Sequence, residues 1–226
     1  MPTDAAVILD VDGTLIDSND AHTRAWVEAF ADHGITVAYE PVRRSIGMGG
    51  DKLMPAVAQI EEDSADGRRI ARRRAEIFKA RWLPSLHGFA GVRPLLQRLK
   101  DDGFVLAVAS SAQATELDPL LEAAGVRDLI DTKTSSDDAE ESKPDPDIVA
   151  AALKRIGCPA GRATMIGDTP YDVEAARGAG VRVVAFACGG WHATELKADE
   201  VYADAADLLR RYETSLFARQ RPTAAR

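Results

Sequence analysis

Two carboxylates at spacing i, i+2 follow a short apolar run near the start of the sequence. The run covers residues 7–9, and Asp10-Val11-Asp12-Gly13-Thr14 comes directly after it. Two acids at the end of a buried strand repel each other unless a positive charge lies between them. A divalent metal with oxygen ligands is the usual solution. The segment therefore indicates a nucleophilic carboxylate, a second acid for proton transfer and a Mg²⁺ site, although a plain strand ending in an Asp-Gly turn is the structural alternative.

Three later segments also place polar or charged side chains beside an apolar run or a helix start. They are 108–111 with Ser110 and Ser111, 142–146 with Lys143, and 166–172 with Asp168 and Asp172. Each segment has a purely structural interpretation. The serines are typical helix caps, a lysine before a proline is usually exposed, and acids at a helix start are favoured by the helix dipole.

Short apolar runs alternate with amphipathic helical stretches along most of the chain. The strand predictions are 6–9, 104–109, 129–132, 164–166, 181–187 and 200–202. The helix predictions between and after them are 91–102, 115–124, 146–156, 171–179 and 205–217. This alternation favours an α/β fold with a Rossmann-like, doubly wound parallel sheet. Ligands bind beyond the carboxyl ends of such strands, where Asp10, Ser110 and Asp168 fall.

The stretch from residue 18 to residue 84 breaks this alternation and contains no convincing strand. Four helices are predicted there, near 19–33, 41–46, 52–60 and 64–82. We therefore expect a small α-helical cap domain over 18–84, inserted into a catalytic core formed by 1–17 and 85–226. The hinges are expected at 15–18 and 84–88, and the polar residues 218–226 are expected to be a frayed tail.

The four motifs, in this order and context, resemble the signature of the haloacid dehalogenase (HAD) superfamily. The resemblance covers nearly the whole chain, including the helical insertion, which resembles that superfamily's cap after the first strand. It implies that Asp10 attacks phosphorus and that Asp12 acts as the general acid and base. Asp12 also disfavours dehalogenation, because dehalogenases of this superfamily lack the second acid.

The resemblance further implies which residues hold the metal and the phosphate. The Mg²⁺ would be held by the carboxylates of Asp10 and Asp168 and the backbone carbonyl of Asp12, with Asp172 orienting a metal-bound water. The implied phosphate-binding residues are Asp10, Gly13, Ser110, Ser111 and Lys143. Mg²⁺ and Lys143 would offset the negative charge from two sides.

The predicted cap contains residues that are candidates for substrate contacts. His22 lies in a segment, 17–26, that resembles the start of the cap in β-phosphoglucomutase, where it would help couple cap closure to proton transfer. The loop at 43–52 offers Arg43, Gly47 and Lys52 for an anionic group at the distal end of a substrate. A solvent-facing histidine and a flexible loop with solvated bases are the structural alternatives.

These inferences predict a Mg²⁺-dependent phosphatase that hydrolyses a small phosphorylated metabolite, such as a sugar phosphate or phosphoglycolate. A β-phosphoglucomutase-like sugar-phosphate mutase is the alternative enzyme, and it would use the same residues. A non-catalytic phospho-ligand binding protein is the alternative of another class. The retained acids and lysine disfavour that alternative.

Composition limits the partners of the protein. The 226 residues are 46% hydrophobic and 28% charged, with a formal net charge of −8, which provides no general attraction to nucleic acid or anionic membranes. Five arginines between 68 and 74 are interpreted as a solvated helix face. Cys158 and Cys188 have no metal-type spacing, and no segment is long enough to cross a membrane. A cytoplasmic location is expected, and the sequence leaves monomer and dimer open.

Overall fold

Six parallel strands form one sheet in the computed structural model, which describes residues 4–222. The strands are β1 (Ala6–Leu9), β2 (Val105–Ala109), β3 (Thr132–Thr134), β4 (Ala163–Gly167), β5 (Arg182–Phe186) and β6 (Glu200–Tyr202). Their order across the sheet is β3-β2-β1-β4-β5-β6, and every neighbouring pair is parallel. The predicted α/β fold with a doubly wound sheet is confirmed. The order reverses between β1 and β4, so the ends of these two strands border the crevice where such sheets bind ligands.

A helical insert follows β1, as predicted. Its helices are α1 (Asn19–Asp32), α2 (Tyr39–Ser45), α3 (Gly50–Ala58) and α4 (Ala65–Ile77). A π-helical turn, Phe78–Trp82, continues directly from α4. The sequence predicted one helix over 64–82, and the structure divides that range between α4 and this turn. The division of the chain at residues 18 and 84 stays a prediction.

The remaining helices connect or follow the later strands. They are α5 (Val92–Asp101), α6 (Ala114–Ala123), α7 (Asp147–Ile156), α8 (Pro170–Gly178), α9 (Ala193–Leu196), α10 (Ala205–Arg210) and α11 (Leu216–Gln220). None of the helices within residues 4–222 has the length and apolar composition of a membrane span.

Apolar side chains cover both faces of the sheet. Val7 and Leu9 belong to one buried cluster, which continues into the insert through residues such as Phe30. Ala6 and Ile8 belong to a second cluster on α7 and α8. Because successive residues of a strand point to opposite faces, β1 must be apolar along its whole length. This explains why its sequence shows no polar alternation.

The two linkers of the insert run side by side. Ile16 forms an antiparallel bridge with Gly88, and the backbone N–H of Phe89 donates to Leu15 O at 3.1 Å. These bonds lie within or next to the stretches predicted as hinges. They tie the entry and exit of the insert to the same place, beside the end of β1.

Three sequence predictions about single elements were wrong. A strand was predicted at 129–132. In the structure a 3₁₀ turn, Arg127–Leu129, comes first, and the polar edge strand β3 follows it. The apolar residues of the predicted strand lie in or just after the turn, where they are buried without forming a strand. The helix predicted at 205–217 breaks after α10, where Tyr212 turns into the core. Ser215 then caps α11 by accepting a bond from Ala218 N–H. The first residues of the predicted tail are therefore helical, and its last four residues lie outside the described part of the chain.

Candidate active site

Asp10 and Asp12 lie where β1 ends and a tight turn begins. The backbone N–H of Asp10 donates to Ile166 O at 2.9 Å, which extends the pairing of β1 with β4 by one residue. Gly13 follows with a φ of +78°, and a Cβ there would overlap the side chains of Asn19 and Asp168. Only glycine fits both the conformation and the space. The turn therefore follows Asp10 beside the end of β4 and packs against Asp168.

Lys143 lies between two carboxylates in the interior of the protein. Its Nζ donates to Asp10 Oδ1 at 2.5 Å and to Asp172 Oδ1 at 2.7 Å. The lysine side chain is fully buried. Burial alone lowers the pKa of Lys143, but the two carboxylates raise it above its usual range. The ammonium group therefore stays charged. The alternative interpretation, in which Lys143 is an exposed loop residue, does not apply.

Asp168 is held in place by neutral donors. Thr14 Oγ1 donates to its Oδ1 at 2.8 Å, and Asn19 Nδ2 donates to its Oδ2 at 3.0 Å. Asn19 also donates to the carbonyl of Gly189, a residue whose Cβ would overlap Asp168. Neither Thr14 nor Asn19 was singled out as a partner of Asp168 from the sequence. Their positions directly after Gly13 and at the start of α1 were the available signal.

Asp10, Asp168 and Asp172 form a cluster that fits a divalent cation. One carboxylate oxygen of each lies within 4.8 Å of those of the other two, and all three residues are buried. Burial and the neighbouring Asp172 raise the pKa of Asp10 to about 7, against the opposing effect of Lys143. Burial and the charges of Asp10 and Asp172 likewise raise the pKa of Asp168. A bound cation with a preference for oxygen ligands would relieve this repulsion.

Asp172 reaches the cluster from the first turn of α8. Its Oδ2 accepts bonds from Thr169 Oγ1 at 2.7 Å and from the backbone N–H groups of Thr169 and Asp168. One oxygen thus caps the helix while the other binds Lys143. This arrangement agrees with an orienting role, and direct ligation by the Asp12 carbonyl stays a prediction.

Asp12 contacts the helical insert rather than the acid cluster. Its Oδ1 accepts a bond from Ser18 Oγ at 2.5 Å and lies 2.9 Å from His22 Nε2. Burial alone raises the pKa of Asp12, but His22, Ser18 and the charge of Arg74 hold it below its usual value. His22 stacks on Phe78 with ring centroids 3.9 Å apart. His22 is buried, so the solvent-facing alternative does not apply.

Ser110 and Ser111 follow β2 at the same edge of the sheet. Ser110 is buried, and its Oγ accepts a bond from Ala112 N–H at 3.1 Å, as a capping residue does. Ser111 Oγ donates to Gly47 O of the insert at 3.2 Å. The capping and phosphate-binding interpretations of Ser110 are compatible, because its hydroxyl proton is free to donate elsewhere.

A small cavity of about 60 Å³ opens beside these groups. Its lining includes Asp10, Asp12, His22, Gly47 and Ser111. The loop after α2 closes one side of it, with Ile46 and Met48 adding apolar surface. The structure therefore places His22 and Gly47 beside the acids, and their contact with substrate stays a prediction.

Arg43 and Lys52 are engaged elsewhere. Arg43 donates to Asp20 and to the carbonyl of Gly189. Lys52 Nζ lies 2.7 Å from Glu141 and 2.8 Å from Asp145, both outside the insert. Within residues 4–222 these two side chains connect the insert to the rest of the protein and do not line the cavity. A direct contact of either with substrate stays a prediction.

Two further cavity residues were missed. Arg74 was assigned to a solvated arginine face, but its side chain is only 11% exposed and pairs with Glu116, which is 2% exposed. That assignment was wrong for this residue, because α4 turns Arg74 towards α6. Both residues line the cavity that Asp10 and Asp12 line. No local sequence signal joins them, since they lie 42 positions apart.

Residues 7–186 match the family model described as haloacid dehalogenase-like hydrolase. The chain belongs to this family. The match spans all four motifs, from Asp10 to Asp172, so this haloacid dehalogenase-like protein is an enzyme, a hydrolase of the superfamily that the sequence resembles.

Relatives and solved structures agree with this assignment. The chain is 33% identical over 197 residues to the phosphoglycolate phosphatase of Rhodospirillum rubrum, covering 81% of this chain and 80% of the relative. A hydrolase from Pseudomonas syringae has a TM-score of 0.86 at 30% identity, with 93% of this chain and 98% of that chain covered. A mutant of CbbY from Rhodobacter sphaeroides, in complex with xylulose-(1,5)bisphosphate, has a TM-score of 0.75 at 28% identity, with 92% of this chain and 96% of that chain covered.

One relative is much longer than this chain. Protein SUPPRESSOR OF QUENCHING 1, chloroplastic, from Arabidopsis thaliana is 35% identical over 185 residues. The matched region is 80% of this chain but only 18% of that protein. The other activities of so long a protein are therefore no guide to this one.

Proposed function

We propose that the protein is a Mg²⁺-dependent phosphatase that hydrolyses a small phosphorylated metabolite through an aspartyl-phosphate on Asp10. One observation carries the proposal: a buried ammonium, Lys143, lies 2.5 Å from the Asp10 carboxylate, beside a cluster of three buried acids. A phosphoryl group in transfer carries negative charge on several oxygens, so positive groups held in a buried site stabilise its transition state.

In the first step, a carboxylate oxygen of Asp10 forms a bond to phosphorus while the ester P–O bond breaks. The leaving oxygen takes a proton from Asp12, whose carboxyl is protonated when the negative phosphate of the substrate lies beside it. His22 and Ser18 hold the Asp12 side chain at 2.9 and 2.5 Å, so the acid is positioned before substrate enters. The products of this step are the free alcohol and phosphorylated Asp10.

In the second step, a water molecule attacks the phosphorus of phosphorylated Asp10. Asp12, now ionised, takes a proton from that water. The bond between Asp10 and phosphorus breaks, inorganic phosphate leaves, and the Asp10 carboxylate and protonated Asp12 are restored. Lys143 supplies positive charge beside Asp10 in both steps, and the Ser110 hydroxyl is placed to donate to a phosphate oxygen.

Asp10 and Asp168 are the carboxylates that would hold the metal, with Asp172 and Lys143 behind them. When bound, Mg²⁺ supplies Lewis-acid stabilisation of phosphoryl oxygens and offsets the acid cluster. Thr14 and Asn19 fix the orientation of Asp168 through bonds of 2.8 and 3.0 Å. Such outer partners tune metal affinity.

The relatives support small phosphorylated metabolites as substrates. One is named for phosphoglycolate, and CbbY is described with a sugar bisphosphate. The bond between His22 and Asp12 also favours a second candidate, a β-phosphoglucomutase-like mutase, because it links the insert to the general acid. In a mutase the phosphoryl group would return from Asp10 to another hydroxyl instead of to water.

A phosphomonoester panel, assayed with Mg²⁺ and with EDTA, tests the proposal. We expect phosphate release with Mg²⁺, loss of release with EDTA, and none from Asp10→Asn that still folds. A hexose 1-phosphate with a bisphosphate activator separates the two candidates, since a mutase forms the 6-phosphate and a phosphatase forms free phosphate. Absence of phosphate release from every ester would reject the phosphatase.

A further inference from the structure

A buried ion pair joins the insert to the rest of the protein inside the active-site cavity. Arg74 Nη1, from α4, donates to both carboxylate oxygens of Glu116, from α6, at 3.0 and 2.8 Å. Glu116 is 2% exposed, and the Arg74 side chain is 11% exposed. Both residues line the cavity that contains Asp10 and Asp12. A leaving group that extends into this cavity from a phosphate at Asp10 would contact this pair.

Arg74 has a hydrogen-bond donor left over. Its Nε is buried and lacks a partner among residues 4–222, while its guanidinium lies 5.2 Å from the centre of the Trp26 ring. A buried donor without an acceptor costs about 1–3 kcal/mol. An oxygen atom of a bound molecule would remove this cost. This donor is therefore available to an oxygen atom of a bound molecule.

Glu116 decides which oxygen suits this donor. Its carboxylate already neutralises the charge of Arg74, and Asp12 lies in the same cavity. A carboxylate on the leaving group would compete with Glu116 for Arg74 and would be repelled by two acids. A hydroxyl has no such conflict, because it can donate to a Glu116 oxygen and accept from Arg74 Nε.

We propose that the Arg74–Glu116 pair makes this enzyme select phosphate monoesters of neutral, polyhydroxylated alcohols over esters whose alcohol carries a carboxylate. The inference rests on the proposed phosphatase function and narrows its substrate class to sugar phosphates rather than phosphoglycolate. In this role Glu116 repels a leaving group that carries a carboxylate, and Arg74 binds a hydroxyl of the preferred alcohol.

A purely structural ion pair would behave differently. It would hold the insert against α6, and its loss would change stability and lower the turnover of every substrate alike. The selective role changes the ratio of kcat/KM between two substrates. That ratio is independent of the amount of folded enzyme, so it separates the two roles.

The experiment compares phosphoglycolate with fructose 1-phosphate, using wild type and Glu116→Gln, by phosphate release with saturating Mg²⁺. Wild type should favour the sugar phosphate. Glu116→Gln should shift the kcat/KM ratio towards phosphoglycolate by at least about tenfold, because Arg74 is then free to pair with the substrate carboxylate. Glu122→Gln, an exposed change on the same helix α6, should leave the ratio unchanged.

A second variant covers loss of folding, because Glu116→Gln leaves the charge of Arg74 buried without its partner. Arg74→Met combined with Glu116→Leu removes both charges and fills the same space with apolar side chains. In this double variant the preference for fructose 1-phosphate should fall towards that of a non-selective site. A wild-type preference for phosphoglycolate, or a ratio unchanged in both variants, would overturn the inference. Lack of turnover of every ester by wild type would instead overturn the proposed function.

Discussion

Lys143 Nζ and Asp10 Oδ1 lie 2.5 Å apart in the interior of the protein, although 133 residues separate them in the chain. The same ammonium reaches Asp172 at 2.7 Å. A single cation thus joins the acid that follows β1 to the acid at the start of α8. This geometry keeps Asp10, the proposed nucleophile, next to a fixed positive charge, which is what transfer of an anionic group requires.

Replacing Lys143 with Met should lower kcat by about 100- to 1,000-fold, because a preorganised charge at the transferred phosphoryl group is lost. It should also destabilise the protein by about 3–5 kcal/mol, since Asp10 and Asp172 lose their shared buried partner. Phosphate release and urea unfolding measure the two effects. Lys154→Met, at an exposed position of α7, is the matched control. A Lys143→Met enzyme with wild-type kcat would contradict the assigned role.

Without metal, the stability of the protein should depend on pH through Asp10. Burial raises the pKa of this carboxyl from 3.8 to about 7 in the folded state. Its contribution is therefore complete below about pH 4 and is lost as the pH rises through about 7. Relative to Asp10→Asn, wild type in EDTA should lose up to about 4 kcal/mol of unfolding free energy over this range.

Urea unfolding of both proteins between pH 4 and pH 8 measures this difference. Subtracting the Asp10→Asn values removes the contributions of other titrating groups to first order. Added Mg²⁺ should restore wild-type stability most strongly at pH 8, where Asp10 is ionised. A difference that is flat with pH, or that favours wild type as pH rises, would contradict the electrostatic account of the cluster.

The motifs that could be predicted from sequence are those whose geometry is local. Asp10 follows a four-residue buried strand, and Asp168 follows β4, so parallel strands bring the two acids to one edge of the sheet. The edge strand β3 was misplaced because it is polar and only three residues long. The apolar residues before it belong to a turn, and their sequence resembles that of a buried strand.

Arg74 and Glu116 were not predictable for a different reason. Each is charged and lies in a helix whose other charged residues face solvent, so a periodicity argument assigns both to the surface. Their burial depends on how α4 of the insert lies against α6. That arrangement is a tertiary property, and neither helix encodes it alone.

His22 should control the proton transfers of Asp12. Its ring nitrogen lies 2.9 Å from Asp12 Oδ1, and it opposes the rise in the pKa of Asp12 that burial causes. Replacing His22 with Leu should therefore raise the pKa of Asp12. Because Asp12 must be ionised to take a proton from water, the acidic limb of the dephosphorylation rate should move to higher pH.

Single-turnover dephosphorylation of the phosphoenzyme, followed across pH, measures this shift. The rate at neutral pH should also fall by about 10- to 100-fold, because the acid loses its positioning partner. His33→Gln, at an exposed position after α1, is the control and should match wild type. An unchanged pH profile in His22→Leu would show that His22 only packs against Phe78.

Two roles for Lys52, closure of the insert and contact with substrate, predict different effects of mutation. The ion pairs with Glu141 and Asp145 indicate that it holds the insert against the rest of the protein, whereas the sequence offered a contact with substrate and a solvated loop base as alternatives. Each partner is at least 45% exposed, so a pair of this kind contributes only about 1 kcal/mol. If closure is its role, Lys52→Met should raise KM by a small factor, Glu141→Gln should raise it by a smaller one because the pair with Asp145 remains, and raised salt should reduce both differences from wild type. The double variant should then be little worse than Lys52→Met alone, because both changes remove the same interaction.

If Lys52→Met raises KM more than about tenfold while Glu141→Gln leaves it unchanged, the ammonium binds substrate directly and closure depends on other contacts.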